Sequence, residues 1–96
     1  SLAVRVGTVL TSDTFYADDP EYWKLWARYG VLAAEMETAA LYTIASGRGV
    51  QALSVLTVSD NLATGEAAAA EQRERGCTAM MELALQTAVS PTPPLP

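Results

Sequence analysis

The stretch VLAAEMETAALYTIASGRG, residues 31–49, contains a strand pattern that is followed directly by a helix pattern. Residues 31–36 form a short apolar run, which predicts a brief strand. From Glu37 onward apolar residues recur at helical spacing, and Gly47 and Gly49 are typical of the end of a helix. The stretch therefore predicts one strand–helix unit of an α/β fold.

One further strand and one further helix are predicted before this unit, and one of each is predicted after it. Residues 3–12 are rich in Val, Leu and Thr, and residues 50–60 are apolar with little alternation, as in a strand covered on both faces of a parallel sheet. Apolar spacing and end signals predict helices over residues 19–30 and 67–89, with Gly76 as a kink or break in the second. The alternating order of strands and helices predicts an α/β sheet with helices packed on it.

The predicted domain is small for its apolar content. The chain has 96 residues, of which 50% are hydrophobic, and it is one domain at most. Residues 90–96 contain four prolines in seven positions, so a disordered tail is predicted after a domain over residues 1–89. Because three strands make a thin sheet, we expect its edges or faces to be completed by segments outside this chain.

Composition excludes several classes of function. The formal net charge is −5, from 11 acidic and 6 basic residues, which argues against nucleic acid or an anionic membrane as a partner. The single cysteine, Cys77, cannot form an internal disulfide, and no apolar run is long enough to span a bilayer, so a soluble cytoplasmic protein is predicted. The absence of histidine excludes histidine acid–base chemistry and histidine–metal sites within the chain, and no metal site is predicted.

Ligands of open α/β sheets bind at the carboxyl ends of the strands. The three predicted strands are followed by polar pairs: Ser12 and Asp13, Glu35 and Glu37, and Ser59 and Asp60. In an extended segment Glu35 and Glu37 point to the same side, with the backbone of Met36 between them, and the two carboxylates could accept hydrogen bonds from a vicinal diol such as that of ribose. The alternative is that both carboxylates only stabilise the positive end of the following helix.

Asp60 and Arg73 are candidates for acid–base work. Asp60 ends a strongly apolar predicted strand, and partial desolvation would favour the protonated acid, which can donate a proton to a leaving group. Arg73 could turn toward Asp60 from the last helix. The alternatives are that Asp60 is an ordinary turn residue and that Arg73 is solvated.

The predicted helix over residues 19–30 has one apolar face, which predicts that this face packs in the core. Its residues are Tyr22, Leu25, Trp26 and Tyr29.

Three motifs give the chain a resemblance to a known family. They are SDTFY at residues 12–16, YGVLAAEMETAALY at residues 29–42, and TVSD at residues 57–60 with Arg73 beyond. In order and spacing they resemble the C-terminal part of bacterial-type, hexameric purine nucleoside phosphorylases, and the resemblance covers about residues 4–89. It implies the C-terminal portion of a three-layer α/β/α fold, with a mixed sheet flanked by helices, in a cytoplasmic homo-oligomer.

The resemblance also implies substrate-binding roles for four residues. Phe15 would stack on the base or line its pocket. Glu35, Met36 and Glu37 would form the ribose-binding segment, in which Glu37 holds the 2′ and 3′ hydroxyls and Met36 supplies a backbone contact.

For catalysis, the resemblance implies that Ser59 and Asp60 face the purine. Asp60 would be the general acid that protonates N7 of the leaving base, and Arg73 would assist that proton transfer. The implied reaction is the reversible phosphorolysis of purine (deoxy)ribonucleosides, with inorganic phosphate as co-substrate and no cofactor.

Departures from the family pattern leave other functions open. The family's phosphate-binding loop and a histidine at the ribose 5′ end have no counterpart in this chain, so we expect the 96-residue chain to be inactive by itself. SDTFY also occurs in uridine phosphorylases, and SDNLATGEA has some character of methylthioadenosine nucleosidases. A third alternative is a non-catalytic interaction module that uses the helix face of Tyr22, Trp26 and Tyr29.

Overall fold

The computed structural model describes residues 3–15 and 18–90, so almost all of the predicted tail lies outside the described residues. The chain divides into two compact units between Ser54 and Val55. In chain order the elements are β1 (Val9–Thr11), α1 (Tyr22–Ala27), β2 (Ala33–Glu35), α2 (Thr38–Arg48) and α3 (Ala70–Val89). The first four belong to the first unit and α3 belongs to the second.

The first unit is built on a parallel pair of short strands. β1 and β2 are in register with Thr11 opposite Glu35. Beyond the strand ends, the N–H of Leu32 donates to the carbonyl of Thr8, and the N–H of Ser12 donates to the carbonyl of Glu35, each at 2.9 Å. Since α1 lies between two parallel strands in the chain, this arrangement confirms the α/β class.

The predicted strand over residues 50–60 is wrong. Residues 51–59 have no regular secondary structure, and Asp60 makes an isolated antiparallel bridge with Ala67. The side chains of Leu53 and Val58 are 62% and 71% exposed. A strand needs a neighbour to accept and donate its backbone hydrogen bonds, and β1 and β2 do not provide one for this segment within the described residues.

Glycines follow both helices of the first unit, but Gly47, predicted at the end of α2, lies within that helix. Gly49 follows α2 with φ +66°, and the N–H of Val50 donates to the carbonyl of Ala45 at 3.0 Å. Gly30 follows α1 with φ +80°. These left-handed conformations cost a glycine little and let the last helical carbonyls find partners.

The predicted core face of α1 is not a core. Leu25, Trp26 and Tyr29 are 51%, 39% and 78% exposed, whereas Tyr22 is half-buried; Tyr29 lies beyond the end of α1. Among the described residues the only buried side chains are those of Ala45 and Thr38 on α2. A six-residue helix beside a two-stranded sheet offers too little apolar surface to cover three large side chains.

In the second unit α3 runs through Gly76, so the predicted break at that residue is wrong, and a kink there stays a prediction. The hydroxyl of Thr57 donates to the carbonyl of Gly76 at 3.0 Å, and a Cβ on Gly76 would lie 2.6 Å from Cγ2 of Thr57. Glycine at this position therefore allows the side chain of Thr57 to lie close to the backbone of α3. Within the described part of the chain, neither α3 nor any other helix has the length and apolar character needed to cross a membrane.

Candidate functional site

The carboxylate of Glu35 links the ends of both strands to the start of α2. Its Oε2 accepts hydrogen bonds from the N–H groups of Glu37 at 2.6 Å and Thr38 at 2.7 Å. Its Oε1 accepts the hydroxyl proton of Thr11, and the Oγ1 of Thr11 in turn accepts the N–H of Ala39 at 3.0 Å. We call this arrangement of Glu35 and Thr11 the Glu35 clamp.

The clamp keeps Glu35 ionised. Partial burial by itself raises the pKa of Glu35, but hydrogen bonds from the Thr11 hydroxyl, the N–H groups of Glu37 and Thr38 and the Thr38 side chain outweigh it and lower that pKa to about 2. Free N–H groups at a helix start favour a negative charge. Glu35 thus does what the alternative interpretation of the carboxylate pair expects.

Glu37 differs from Glu35 in both backbone and partners. β2 ends at Glu35, and Glu37 has φ −130° and ψ −18°, so the extended conformation that would put both carboxylates on one side ends before Glu37. The side chain of Glu37 is exposed, and no described residue donates a hydrogen bond to its carboxylate. Met36, 38% exposed, lies between the two.

Phe15 follows β1 at the same edge of the sheet. Ser12 forms a turn there, because its Oγ accepts the N–H of Thr14 at 3.1 Å. The side chain of Phe15 is 71% exposed. Because β1 and β2 are parallel, Phe15 and the 35–37 segment both follow carboxyl ends of strands in the first unit.

In the second unit a small hairpin holds Ser59 and Asp60. The carbonyl of Ser59 accepts the N–H of Ala68 at 2.7 Å, and the N–H of Asn61 donates to the carbonyl of Glu66 at 2.8 Å. The side chain of Asp60 is exposed rather than desolvated by a covered strand. The two backbone hydrogen bonds therefore hold the main chain of Ser59 and Asp60 on both sides of Asp60.

The loop of this hairpin leads into α3. Asn61 Oδ1 accepts the N–H of Ala63 at 2.9 Å, and Gln72 Oε1 accepts the N–H of Ala69 at 3.0 Å, next to the first turn of α3. Arg73 lies in that first turn, with an exposed side chain. It forms no ion pair with a carboxylate in the part of the chain that the structure describes.

An open pocket of about 220 Å³ lies within the second unit. Ser59 and Asp60 line it together with Asn61, Glu66 and Gln72, whereas Arg73 does not. Sequence reasoning missed the last three lining residues, and it missed Thr11 in the first unit. Thr11 and Asn61 each neighbour a predicted strand end, but nothing in their spacing distinguishes them from ordinary turn residues.

Comparison with known proteins matches most of this chain to one protein family. The profile of the phosphorylase superfamily matches residues 1–89. The chain is 60% identical over 84 residues to a "purine nucleoside phosphorylase DeoD-type" of Caldanaerobacter subterraneus subsp. tengcongensis, a match that covers 88% of this chain and 36% of that protein.

Other relatives give the same result. The protein of the same name from Geobacillus kaustophilus is 58% identical over 88 residues, covering 92% of this chain and 37% of that protein. The one from Clostridium perfringens strain SM101 is 55% identical over 86 residues, covering 90% of this chain and 37% of that protein. The chain thus spans a little over a third of the length of these curated relatives.

Proposed function

Because this chain belongs to the phosphorylase superfamily, we propose that the full-length protein is a purine nucleoside phosphorylase. The observation that carries the proposal is 60% identity over 88% of the chain to a relative of that name. In the proposed reaction an oxygen of orthophosphate attacks C1′ of a purine (deoxy)ribonucleoside. The C1′–N9 bond breaks with its electron pair going to the base, and the products are a free purine and (deoxy)ribose 1-phosphate.

Glu37 and Met36 hold the sugar in this proposal. The carboxylate of Glu37 accepts hydrogen bonds from the 2′ and 3′ hydroxyls, and the backbone of Met36 makes a further contact. The exposure of Glu37, whose carboxylate accepts no hydrogen bond from a described residue, supports this role. Phe15, exposed at the same sheet edge, packs against the base.

Asp60 is the proposed general acid. As the glycosidic bond stretches, negative charge accumulates on the purine, and a proton delivered to N7 makes the base a neutral leaving group. Ser59 contacts the purine beside it, and Arg73 assists the proton transfer from the first turn of α3. The shared pocket of Ser59 and Asp60 supports this part of the proposal.

The remaining parts of the proposal concern the full-length protein. Its fold has three layers around a mixed sheet that segments from outside this chain complete; the exposed apolar side chains of Leu53 and Val58 support this. It is a homo-oligomer, which the exposed apolar residues of α1 favour. The single cysteine favours a reducing compartment, so we assign the cytoplasm.

A substrate panel tests the proposed function. The full-length protein is incubated with inosine, adenosine, uridine or methylthioadenosine, with and without orthophosphate, and free base and pentose 1-phosphate are quantified. We expect purine release only with phosphate. Release of base without phosphate would instead identify a nucleosidase, preference for uridine would identify a uridine phosphorylase, and no turnover of any nucleoside would favour the interaction module.

A further inference from the structure

We propose that Glu35 is a positioning residue and not a sugar ligand: the Glu35 clamp fixes the turn that carries Met36 and Glu37, so that Glu37 alone presents a free carboxylate to the sugar diol. This inference rests on the proposed function and assigns different tasks to the two neighbouring carboxylates. It also gives a task to Thr11, which lies 24 residues before Glu35 in the chain.

The first argument is the occupancy of the Glu35 oxygens. A carboxylate has about four acceptor positions, two on each oxygen. Both positions of Oε2 are used by the N–H groups of Glu37 and Thr38, and Oε1 accepts the Thr11 hydroxyl. To bind two sugar hydroxyls, Glu35 would have to release N–H groups at the start of α2, which would then lack partners.

The second argument is the way the clamp joins three elements. The backbone carbonyl of Glu35 accepts the N–H of Ser12 at 2.9 Å, so main chain and side chain of Glu35 both bind the end of β1. The Thr11 hydroxyl oxygen accepts the N–H of Ala39, the residue after the last one that the Glu35 carboxylate binds. The turn between β2 and α2 is therefore held from both ends, with Met36 and Glu37 inside it.

The third argument is the contrast with Glu37. Its N–H is bound by Glu35 and its backbone carbonyl accepts the N–H of Leu41 at 3.1 Å, so its backbone is fixed. Its carboxylate, by contrast, is exposed and has no donor among the described residues. A fixed backbone with an unoccupied carboxylate is the arrangement expected of a preorganised ligand.

A double-mutant cycle in the full-length protein tests the proposal. Thr11→Val removes the hydroxyl at nearly constant volume, and Glu35→Gln removes the charge. We expect each to raise KM for a purine ribonucleoside about tenfold, with kcat changed much less, and the double variant to be no worse than the poorer single variant. Thr11→Ser keeps the hydroxyl, so its KM should stay within about twofold of the KM of the parent protein.

A direct sugar contact of Glu35 would give a different pattern. Thr11→Val would then leave KM unchanged, or the increases in KM of the two single variants would multiply in the double variant. Either result overturns the proposal. Amide hydrogen exchange gives a second readout that needs no turnover. Exchange at Thr38 and Ala39 should be faster in Glu35→Gln and Thr11→Val, and unchanged exchange in both variants would show that the clamp is not formed.

The two readouts also separate this inference from the proposed function. If the parent protein does not phosphorolyse any purine nucleoside, the proposed function fails, and the positioning role fails with it even where exchange confirms the clamp. If the parent protein turns over and neither kinetics nor exchange responds to Thr11, only the inference fails.

Discussion

Asp60 is the residue on which the proposed proton transfer depends. Its backbone is held by the hydrogen bonds of its neighbours, Ser59 to Ala68 and Asn61 to Glu66, rather than by its own carboxylate. Its exposed side chain can therefore be changed with little effect on the hairpin. A loss of rate in a variant of this residue would report on chemistry rather than on folding.

Replacing Asp60 by Asn in the full-length protein should lower kcat for inosine by about 10²- to 10⁴-fold, since the amide cannot deliver the proton to N7. With an N7-methylated purine nucleoside the base already carries the positive charge, so the loss should be much smaller. Steady-state rates on the two substrates make the comparison, and Asp18→Asn, an exposed aspartate in the first unit, is the control. Equal losses on both substrates would contradict the acid role.

At the scale of elements, the start of α2 depends on one ionised side chain. The pKa of Glu35 is lowered from 4.5 to about 2 because the folded state donates hydrogen bonds to the carboxylate. A group whose pKa is lower in the folded state stabilises the fold fully above its unfolded pKa. That contribution is then lost as the pH falls from about 4.5 toward about 2.

We therefore expect the chemical-unfolding midpoint of the full-length protein to fall between pH 5 and pH 3 by more in the parent protein than in Glu35→Gln, which has no carboxylate to protonate. Urea unfolding followed by circular dichroism at both pH values measures the difference. Glu82→Gln, an exposed change on α3, is the control and should behave like the parent protein. The same pH dependence in Glu35→Gln would rule out the clamp as its source.

The second element-scale feature is the contact between α3 and the segment before it. Alanine normally stabilises a helix relative to glycine, but a Cβ at Gly76 would meet Cγ2 of Thr57 at 2.6 Å. The methyl group of Thr57 cannot turn away without breaking the hydrogen bond of its hydroxyl to the Gly76 carbonyl. The steric clash of a Cβ at position 76 should therefore destabilise the protein by more than the higher helix propensity of alanine stabilises it.

Gly76→Ala should lower the free energy of unfolding by about 1–3 kcal/mol. Gly47→Ala in α2 is the matched control: its Cβ meets nothing within 4 Å, so it should raise that free energy by about 0.5–1 kcal/mol. Combining Gly76→Ala with Thr57→Ser, which removes the obstructing methyl group, should recover most of the loss. If Gly76→Ala stabilises the protein as much as Gly47→Ala does, the close contact is not present in solution.

At the scale of the whole molecule, the main feature is how few side chains are buried. Among the described residues these are Ala45 and Thr38, whereas Tyr29, Ile44 and Leu85 are 78%, 64% and 69% exposed. The chain also covers only 36% of the Caldanaerobacter relative. Both facts favour a protein in which further chain segments cover these surfaces.

Accordingly, the 96-residue chain by itself should produce no ribose 1-phosphate from inosine and orthophosphate, whereas the full-length protein should. The physical reason is that the carboxylates of this chain would repel phosphate, and by family resemblance the groups that bind phosphate lie outside it. A coupled assay for ribose 1-phosphate measures both samples at equal molar concentration. Turnover by the short chain would show that a complete site exists within it.

The patterns that single out Asp60 and pair Glu35 with Glu37 describe the local structure incorrectly. The apolar run before Asp60 predicts a strand, yet that strand is absent and a hairpin bridge to Ala67 holds the residue at the pocket. A two-residue alternation pairs Glu35 with Glu37, but that alternation stops where β2 ends. Both errors have one cause: periodicity describes one segment, whereas strand pairing and hydrogen bonding depend on a second segment.

By itself the sequence determined the α/β order, the glycine ends of α1 and α2 and the family, because local backbone preferences and motif spacing are properties of neighbouring residues. Only the tertiary structure decided that Glu35 binds Thr11, that Gly76 admits Thr57 to α3 and that residues 51–59 form no strand. Each of these depends on which distant group comes within hydrogen-bonding or van der Waals distance, and no local pattern encodes that distance.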